Sequence, residues 1–393
     1  MPKKEDILIS LCAHLNTNEE REARIKNVLK GDLNWNYFLE KVKKERVGPL
    51  VYKTISGIGE AEWIIPKDIF GSLKDIYYST LRENIIVFKD LEKLLAGFYD
   101  RGIKIIVFKG PALAEPVYKD IGLRPMRDVD ILAGEEDIQR LDELFRNAGY
   151  IRPSYIIKDY PEISANPYRN SIMYKKPDGG VKFIHLFWHI INLFPYNMEV
   201  FRRIRMDKIW KEAQPLRLAN AQTFTFSVCH QIIYLCMHAF THSFANLILL
   251  CDINEILWIH KDIDWQALVN EAVRFGMSKY LYYGLYVCKE ILGSEVPDFI
   301  LERIRPRKMS LFERRFIEAV LERESISHSD TLACLGMNES LFGRMRYLKG
   351  FLFPPKDVLP LIGQKNLGGP SIFDYLKRIR QGLGTFLRLL KNI

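Results

Sequence analysis

The feature that most constrains this chain is the stretch from Ile103 to Tyr150, IKIIVFKGPALAEPVYKDIGLRPMRDVDILAGEEDIQRLDELFRNAGY. It brings a lysine-glycine turn, two arginines and two closely spaced carboxylates into one short segment, and its apolar pattern reads strand, turn, helix, loop, strand, helix. The first strand, Ile103 to Phe108, is a β-branched and aromatic run that stops at Lys109-Gly110-Pro111. Gly110 suits a tight turn, and Pro111 suits the first helical position, where a missing N–H costs nothing. A helix over Pro111 to Tyr118 then points its free backbone donors at the turn, a setting for an anion beside the Lys109 ammonium.

The second strand carries Asp128-Val129-Asp130-Ile131-Leu132. Alternation projects both carboxylates from one face, where they repel each other unless a cation is shared. Mg²⁺ held by one or two carboxylates plus substrate phosphates is the commonest hard-cation site of this kind. The preceding loop, Gly122-Leu123-Arg124-Pro125-Met126-Arg127, supplies two guanidinium groups able to fork onto phosphate oxygens. Taken alone, these residues also suit a plainer arrangement in which Asp128 caps the strand, Asp130 is solvated and the arginines neutralise them.

The run FKGPALAEPVY, then GLRPMRDVDIL, then a helix ending in Gly149-Tyr150 resembles an uncharacterised nucleotidyltransferase family of the DNA polymerase β-like superfamily. The resemblance implies that Asp128 and Asp130 hold the metal, Mg²⁺ or Mn²⁺, and that Gly110 sits under a nucleoside triphosphate such as ATP. Lys109, Arg124 and Arg127 fall beside it as nucleotide-binding residues. The family has a third acid two residues before a histidine on the neighbouring strand. In VKFIHLFWH that position is Phe183, while His185 is kept, and neither strand face offers a carboxylate. His185 is the candidate base, since an imidazole titrates near working pH; a structural histidine at the sheet edge is the alternative.

The expected fold class is α+β: a small mixed β-sheet nucleotidyltransferase core flanked by N-terminal helices and a larger C-terminal all-α region. Residues 1–95 read as helical, 96–195 as the core, and 196–393 as helical again with a basic amphipathic tail. Short strands are expected at Tyr155 to Ile157, Ser171 to Lys175 and Lys182 to Trp188, with Lys176-Pro177-Asp178-Gly179-Gly180 as a hairpin turn. From Phe194 onward the pattern is helical.

One helical unit recurs. LNWNYFLEKVKKERVGPLVYKTI from Leu33 matches IDWQALVNEAVRFGMSKYLYYGL from Ile263 in its Trp, its apolar spacing and its Tyr, at a constant offset of 230. Asn34 and Asp264 are the matching N-caps.

His230, His238 and His242 fall within about a third of a helix circumference. No acid lies between His238 and His242 as the zinc-protease motif requires, so a polar seam facing the substrate is favoured over a zinc site. The family resemblance extends to His238, His242 and Asp252 as substrate-side residues. The tail from Ile372 to Ile393 has apolar residues alternating at threes and fours with Lys377, Arg378, Arg380, Arg388 and Lys391 off the stripe. Such a stripe packs on the chain's own helices or docks on anionic lipid or nucleic acid.

Composition limits the remaining classes. With 48% apolar and 27% charged residues the chain has the make-up of a globular protein, and its net charge of +9 favours polyanionic partners. Six cysteines without a C-x-x-C pair read as reduced thiols. The charged opening Met1-Pro2-Lys3-Lys4-Glu5-Asp6 lacks a signal-peptide core, apolar runs fall short of a membrane span, and the expected location is cytoplasmic.

The expected activity is metal-dependent transfer of a nucleoside monophosphate from an NTP to a hydroxyl acceptor (a small molecule, a tRNA end or a protein side chain) with release of pyrophosphate. The alternatives are a catalytically degenerate, nucleotide-binding regulatory protein and a basic scaffold docking on anionic lipid or nucleic acid.

Overall fold

A computed structural model of the protein describes residues 3–59, 64–152, 170–177, 181–191 and 198–323, with scattered positions from 345 to 380. The expected strand at Tyr155 to Ile157, the Asp178-Gly179-Gly180 part of the hairpin turn and, apart from Leu376 and Ile379, the amphipathic stripe of the tail lie outside the described residues.

Four short helices open the chain: α1 (Lys4–Cys12), α2 (Glu19–Leu29), α3 (Trp35–Glu45) and α4 (Gly48–Gly57). They are followed by α5 (Lys67–Tyr99), which is 33 residues long and starts directly after Pro66. No proline interrupts α5. Its buried side chains include Ile69, Leu73, Thr80, Asn84, Phe88, Leu91, Leu95 and Phe98, close to a repeat of threes and fours that keeps one stripe inward. At about 1.5 Å per residue such a helix can cross a whole domain. Ile69 and Leu73 pack with the N- and C-terminal helices, whereas Phe88 to Phe98 pack under the sheet.

Among the described residues the sheet has six strands: β1 (Ile105–Phe108), β2 (Val129–Ala133), β3 (Ser171–Lys175), β4 (Phe183–Phe187), β5 (Gln214–Leu218) and β6 (Ala221–Thr225). Their order across the sheet is β3-β4-β2-β1-β6-β5. β1 runs antiparallel to β2 and parallel to β6, while β2 runs parallel to β4. The two edge pairs, β3–β4 and β5–β6, are antiparallel hairpins. Both faces of the sheet are covered, which is why IIVF in β1 is apolar without alternation. Ile105, Val107, Val129, Ile131, Ile184 and Leu186 face α5 and α7 (Ile138–Asn147); Ile106, Phe108, Leu132 and Phe187 face the C-terminal helices.

The mixed α+β class matches the expectation, with two corrections. The sheet takes β5 and β6 from beyond residue 195, after α8 (Met198–Arg203) and α9 (Met206–Glu212), so the all-helical part begins at Val228. These strands escaped the sequence pattern because Pro215 weakens the strand signal and because Ala219, at φ 51°, takes the left-handed turn position that glycine or asparagine normally marks. Second, the helix after the Lys-Gly turn, α6 (Gly110–Ala114), has five residues and does not reach Tyr118.

The C-terminal helices are α10 (Val228–Thr241), α11 (Ile248–Ile259), α12 (Trp265–Arg274), α13 (Ser278–Leu292), α14 (Asp298–Ile304) and α15 (Leu311–Leu321). The helical repeat is present as α3–α4 and α12–α13. Asn34 accepts from Tyr37 N at 3.0 Å and Asp264 accepts from Ala267 N at 2.9 Å, so both expected N-caps form. Cys12, Cys229, Cys236, Cys251 and Cys288 are free thiols. Among the described residues no helix is long and apolar enough to cross a membrane.

Where α1 meets α11 and α13, Glu255 is buried and accepts from Leu15 N at 3.3 Å and Asn254 Nδ2 at 2.8 Å. Burial pushes its carboxyl up to about 7, against the pull of those hydrogen bonds. The folded state therefore keeps this proton over a range where the unfolded chain has lost it, and stability falls as pH rises from the ordinary carboxylate range through 7. Glu255→Gln should gain about 3 kcal/mol over wild type at pH 8 and almost nothing at pH 4, as read by urea denaturation. An unchanged difference across that range would contradict the assignment.

Candidate active site

Antiparallel pairing of β1 with β2 sets Phe108 opposite Asp130, and parallel pairing of β2 with β4 sets Asp130 opposite His185. Three strands thus deliver their functional residues to one spot on the helix-facing side. Lys109, the residue after Phe108, is where β1 turns into α6, and its backbone lies at φ 56°, ψ −129°. That conformation is natural to glycine and strained for lysine. The strain was expected to fall on Gly110. Gly110 serves a different purpose: a Cβ there would meet Met126 Sδ at 3.1 Å and Asp128 O at 3.4 Å, so its lack of a side chain lets the turn close against the Asp128 loop.

The Lys109 ammonium sits 3.0 Å from Asp130 Oδ1, with both side chains nearly buried. It lies 5.4–5.6 Å from the ring centroids of Phe108, Phe187 and Tyr234. Burial works against its charge, but Asp130, Tyr234 and Asp128 outweigh it and raise the ammonium above its ordinary value. Asp128 is half-buried at the start of β2, and burial followed by the charge of Asp130 raises its carboxyl pKa, with Lys109, His185 and Arg124 opposing. Burial outweighs the positive groups around it.

His185 packs against Phe187 with the rings tilted by 41° and their centroids 3.9 Å apart, and it hydrogen-bonds Ser171 Oγ through Nε2 at 3.0 Å. Its Nδ1 is 3.7 Å from Asp130 Oδ1. Burial and then Lys109 hold the ring down to about 3, so it is neutral. Phe183 lies one residue before the Val129–Ile184 pair, alongside Asp128, and brings no carboxylate there.

A cavity of about 600 Å³ opens over this sheet face. Lys109, Gly110, Arg124, Arg127, Asp128, Asp130, His185, His238 and His242 all line it, so nine of the ten residues singled out by sequence converge on one space. The tenth, Asp252, is fully buried and acts through Arg124. The Arg124 guanidinium donates Nε to Oδ1 at 2.9 Å and Nη2 to Oδ2 at 2.7 Å, and Tyr118 OH donates to Oδ1 at 2.9 Å. Arg124 thus forks onto Asp252 of α11 and has little left for phosphate, while Arg127 is exposed at the rim.

His238 and His242 lie 4.4 Å apart by ring centroid. His230 does not join them: it stacks on Phe275 at 5.6 Å and faces Glu271 at 3.5 Å. Among the described residues no group of three or more His, Cys, Asp or Glu is placed to hold a metal. The two carboxylates still fit a hard divalent cation, because Asp128 and Asp130 offer oxygen donors on one face of the cavity. Such a site takes its remaining donors from substrate phosphates and water.

Residues missed by sequence reasoning include Arg46, Tyr234 and Tyr280, which also line the cavity. Tyr234 had a signal, one turn before His238. Arg46 had one as well: at the offset of 230 it stands where the second helical unit has Gly276.

Comparison with known families fits this arrangement. The model of an uncharacterised nucleotidyltransferase family matches residues 31–293, from before the first helical unit to the end of the second. The chain belongs to that family. A solved structure described as an antigenic nucleotidyltransferase-like protein from Paracoccidioides brasiliensis is similar at 12% identity and a TM-score of 0.31, covering 51% of this chain and 93% of that one. A comparison with curated proteins finds no match.

Two substitutions test the site's construction. Lys109→Gly and Lys109→Ala both leave Asp130 without its cation, but only glycine adopts the turn without strain. Lys109→Gly should be the more stable by about 1–3 kcal/mol in denaturant unfolding, and equal stability would mean the turn is relaxed. Asp252→Ala should cost about 3–5 kcal/mol, because it strands the Arg124 guanidinium in the interior.

Proposed function

We propose that this family member transfers a nucleoside monophosphate from an NTP to a hydroxyl acceptor and releases pyrophosphate. The observation that carries the reading is the convergence of Asp128, Asp130 and Lys109 with the close-packed Gly110 turn on one face of a nucleotide-sized cavity. Asp128 and Asp130 would hold Mg²⁺ or Mn²⁺, which would supply positive charge against the charge developing in the transfer. Lys109 pairs with Asp130 at 3.0 Å and would add a fixed positive charge beside the reacting phosphoryl group. Gly110 and Arg127 both line the cavity, so the Gly110 backbone and the exposed Arg127 guanidinium would meet the phosphates there.

A base with its pKa near 3 accepts a proton weakly at neutral pH. We therefore assign His185 to orienting the acceptor hydroxyl by accepting its hydrogen bond. Removal of that proton is left to Asp128, the carboxylate whose pKa is raised. His238 and His242, which also line the cavity, would contact the acceptor. Phe183 beside Asp128 favours a second reading, in which the site binds nucleotide without turning it over.

Incubating the protein with each of the four NTPs, Mg²⁺ or Mn²⁺ and a cell extract supplying acceptors should release pyrophosphate. Asp128→Ala/Asp130→Ala should abolish it. Calorimetric NTP binding with no pyrophosphate from wild type would establish the binding-only reading instead.

A further inference from the structure

The two helical units close their first helix in the same way. Arg46 N bonds Lys43 O at 3.2 Å and Val47 N bonds Val42 O at 3.3 Å; 230 residues later, Gly276 N bonds Val273 O at 3.0 Å and Met277 N bonds Ala272 O at 2.7 Å. The residues that follow agree too, with Val47 at φ −110°, ψ 11° and Met277 at φ −108°, ψ 12°. The closing position is left-handed in both, φ 59° at Arg46 and φ 69° at Gly276. This helix ending is where glycine is normally found. The second unit has the glycine, and the first holds an arginine in a conformation unfavourable for a long side chain without a local hydrogen bond to its own backbone.

What that arginine gains is position. Its guanidinium reaches the wall of the active cavity, where Nη2 donates to Pro125 O at 3.1 Å. Among the described residues no carboxylate lies within ion-pair distance of it. Arg124 and Arg127 stand close, and burial followed by their repulsion lowers the Arg46 guanidinium to about 10. Charge inside the cavity is therefore uneven. Arg124 is matched by Asp252 and Lys109 by Asp130, but Arg46 and Arg127 face only Asp128. A divalent cation at the two aspartates would leave the wall more positive still.

We infer that Arg46, carried into the site by the N-terminal helical unit, is a binding residue for phosphate oxyanions and forms with Arg127 a two-guanidinium clamp. The clamp suits a polyphosphate chain: guanidinium groups fork onto phosphate oxygens, and several negative charges are needed to balance the wall. The phosphates come either from the NTP or from a phosphorylated acceptor. The inference rests on the proposed transfer only for that source.

The repeat itself supplies the test variant. Arg46→Gly installs the residue that the second unit uses, so the fold should keep its Tm or gain roughly 2 °C. Calorimetry would follow inorganic tripolyphosphate, ATP, glycerol 3-phosphate and adenosine on the full chain. Arg46→Gly should weaken the phosphorylated ligands by roughly ten- to a hundredfold and leave adenosine unchanged. A loss confined to tripolyphosphate and ATP assigns the clamp to the NTP, and a loss confined to glycerol 3-phosphate assigns it to the acceptor. If the variant melts lower, Arg46→Asn gives the same readout, since asparagine tolerates the left-handed region. Unchanged affinity for all three phosphorylated ligands overturns the inference. None of these titrations needs turnover, so Arg46-dependent binding without pyrophosphate release would sink the transfer reaction and leave the clamp standing.

Discussion

Two carboxylates on one strand face, in a place largely shut off from water, are a liability that the surrounding structure has to answer. Asp130 is 2% exposed, and it is tolerated because the Lys109 ammonium is held 3.0 Å away. An ionised carboxylate without such a partner would shift its proton equilibrium or disrupt the core. The lysine reaches that point because the chain turns sharply at Lys109 itself, in a conformation a glycine would adopt more easily. The same register that places Phe108 against Asp130 builds the aromatic floor, with Phe108 within 5.0–5.3 Å of Phe187, Phe226 and Tyr234. Those rings exclude water and so strengthen the pairing they surround.

A second buried pair ties this sheet to the helices. Arg124 leaves the loop before β2 and meets Asp252 on α11 with both ends of its fork, while Asn84 of α5 donates to Arg124 O at 2.9 Å. The loop carrying Arg127 and Asp128 is thereby fixed from both sides, by α5 and by α11. A cavity wall set this way is a preformed site rather than a surface groove.

Much of this was legible in the sequence, for physical reasons specific to each element. The Asp128–Leu132 strand and the Lys-Gly turn have strict local patterns, and local patterns decide which residues share a face. The N-caps Asn34 and Asp264 were legible because a cap is a contact over three residues. Long-range partners were not. Nothing local marks Asp252 as the mate of Arg124, and a D-x-D strand flanked by arginines looks the same whether those arginines meet phosphate or a distant aspartate. The β5–β6 hairpin was hidden because Ala219 occupies the turn position where glycine or asparagine would have signalled it. The neutral state of His185 was hidden too, since it depends on burial and on Lys109, and neither can be read from β4 alone.

Some of the exceptions to local rules fall where the chemistry is. Among the described non-glycine residues with positive φ, Lys109 and Arg46 line the cavity, and Ser243 and Phe244 close the loop between His242 and Asn246, which line it as well. The helical repeat supplies an internal control for one of them. The same turn, closed by the same hydrogen bonds, is made with glycine at 276, away from the cavity, and with arginine at 46, on its wall. Fold requirements are the same at both positions, so they do not account for the arginine. What differs is the neighbourhood: a wall on which Arg124 and Lys109 are already neutralised and on which Arg46 and Arg127 are not. Strain kept at one copy of a repeated turn and absent from the other marks the copy whose side chain has a task beyond holding the turn.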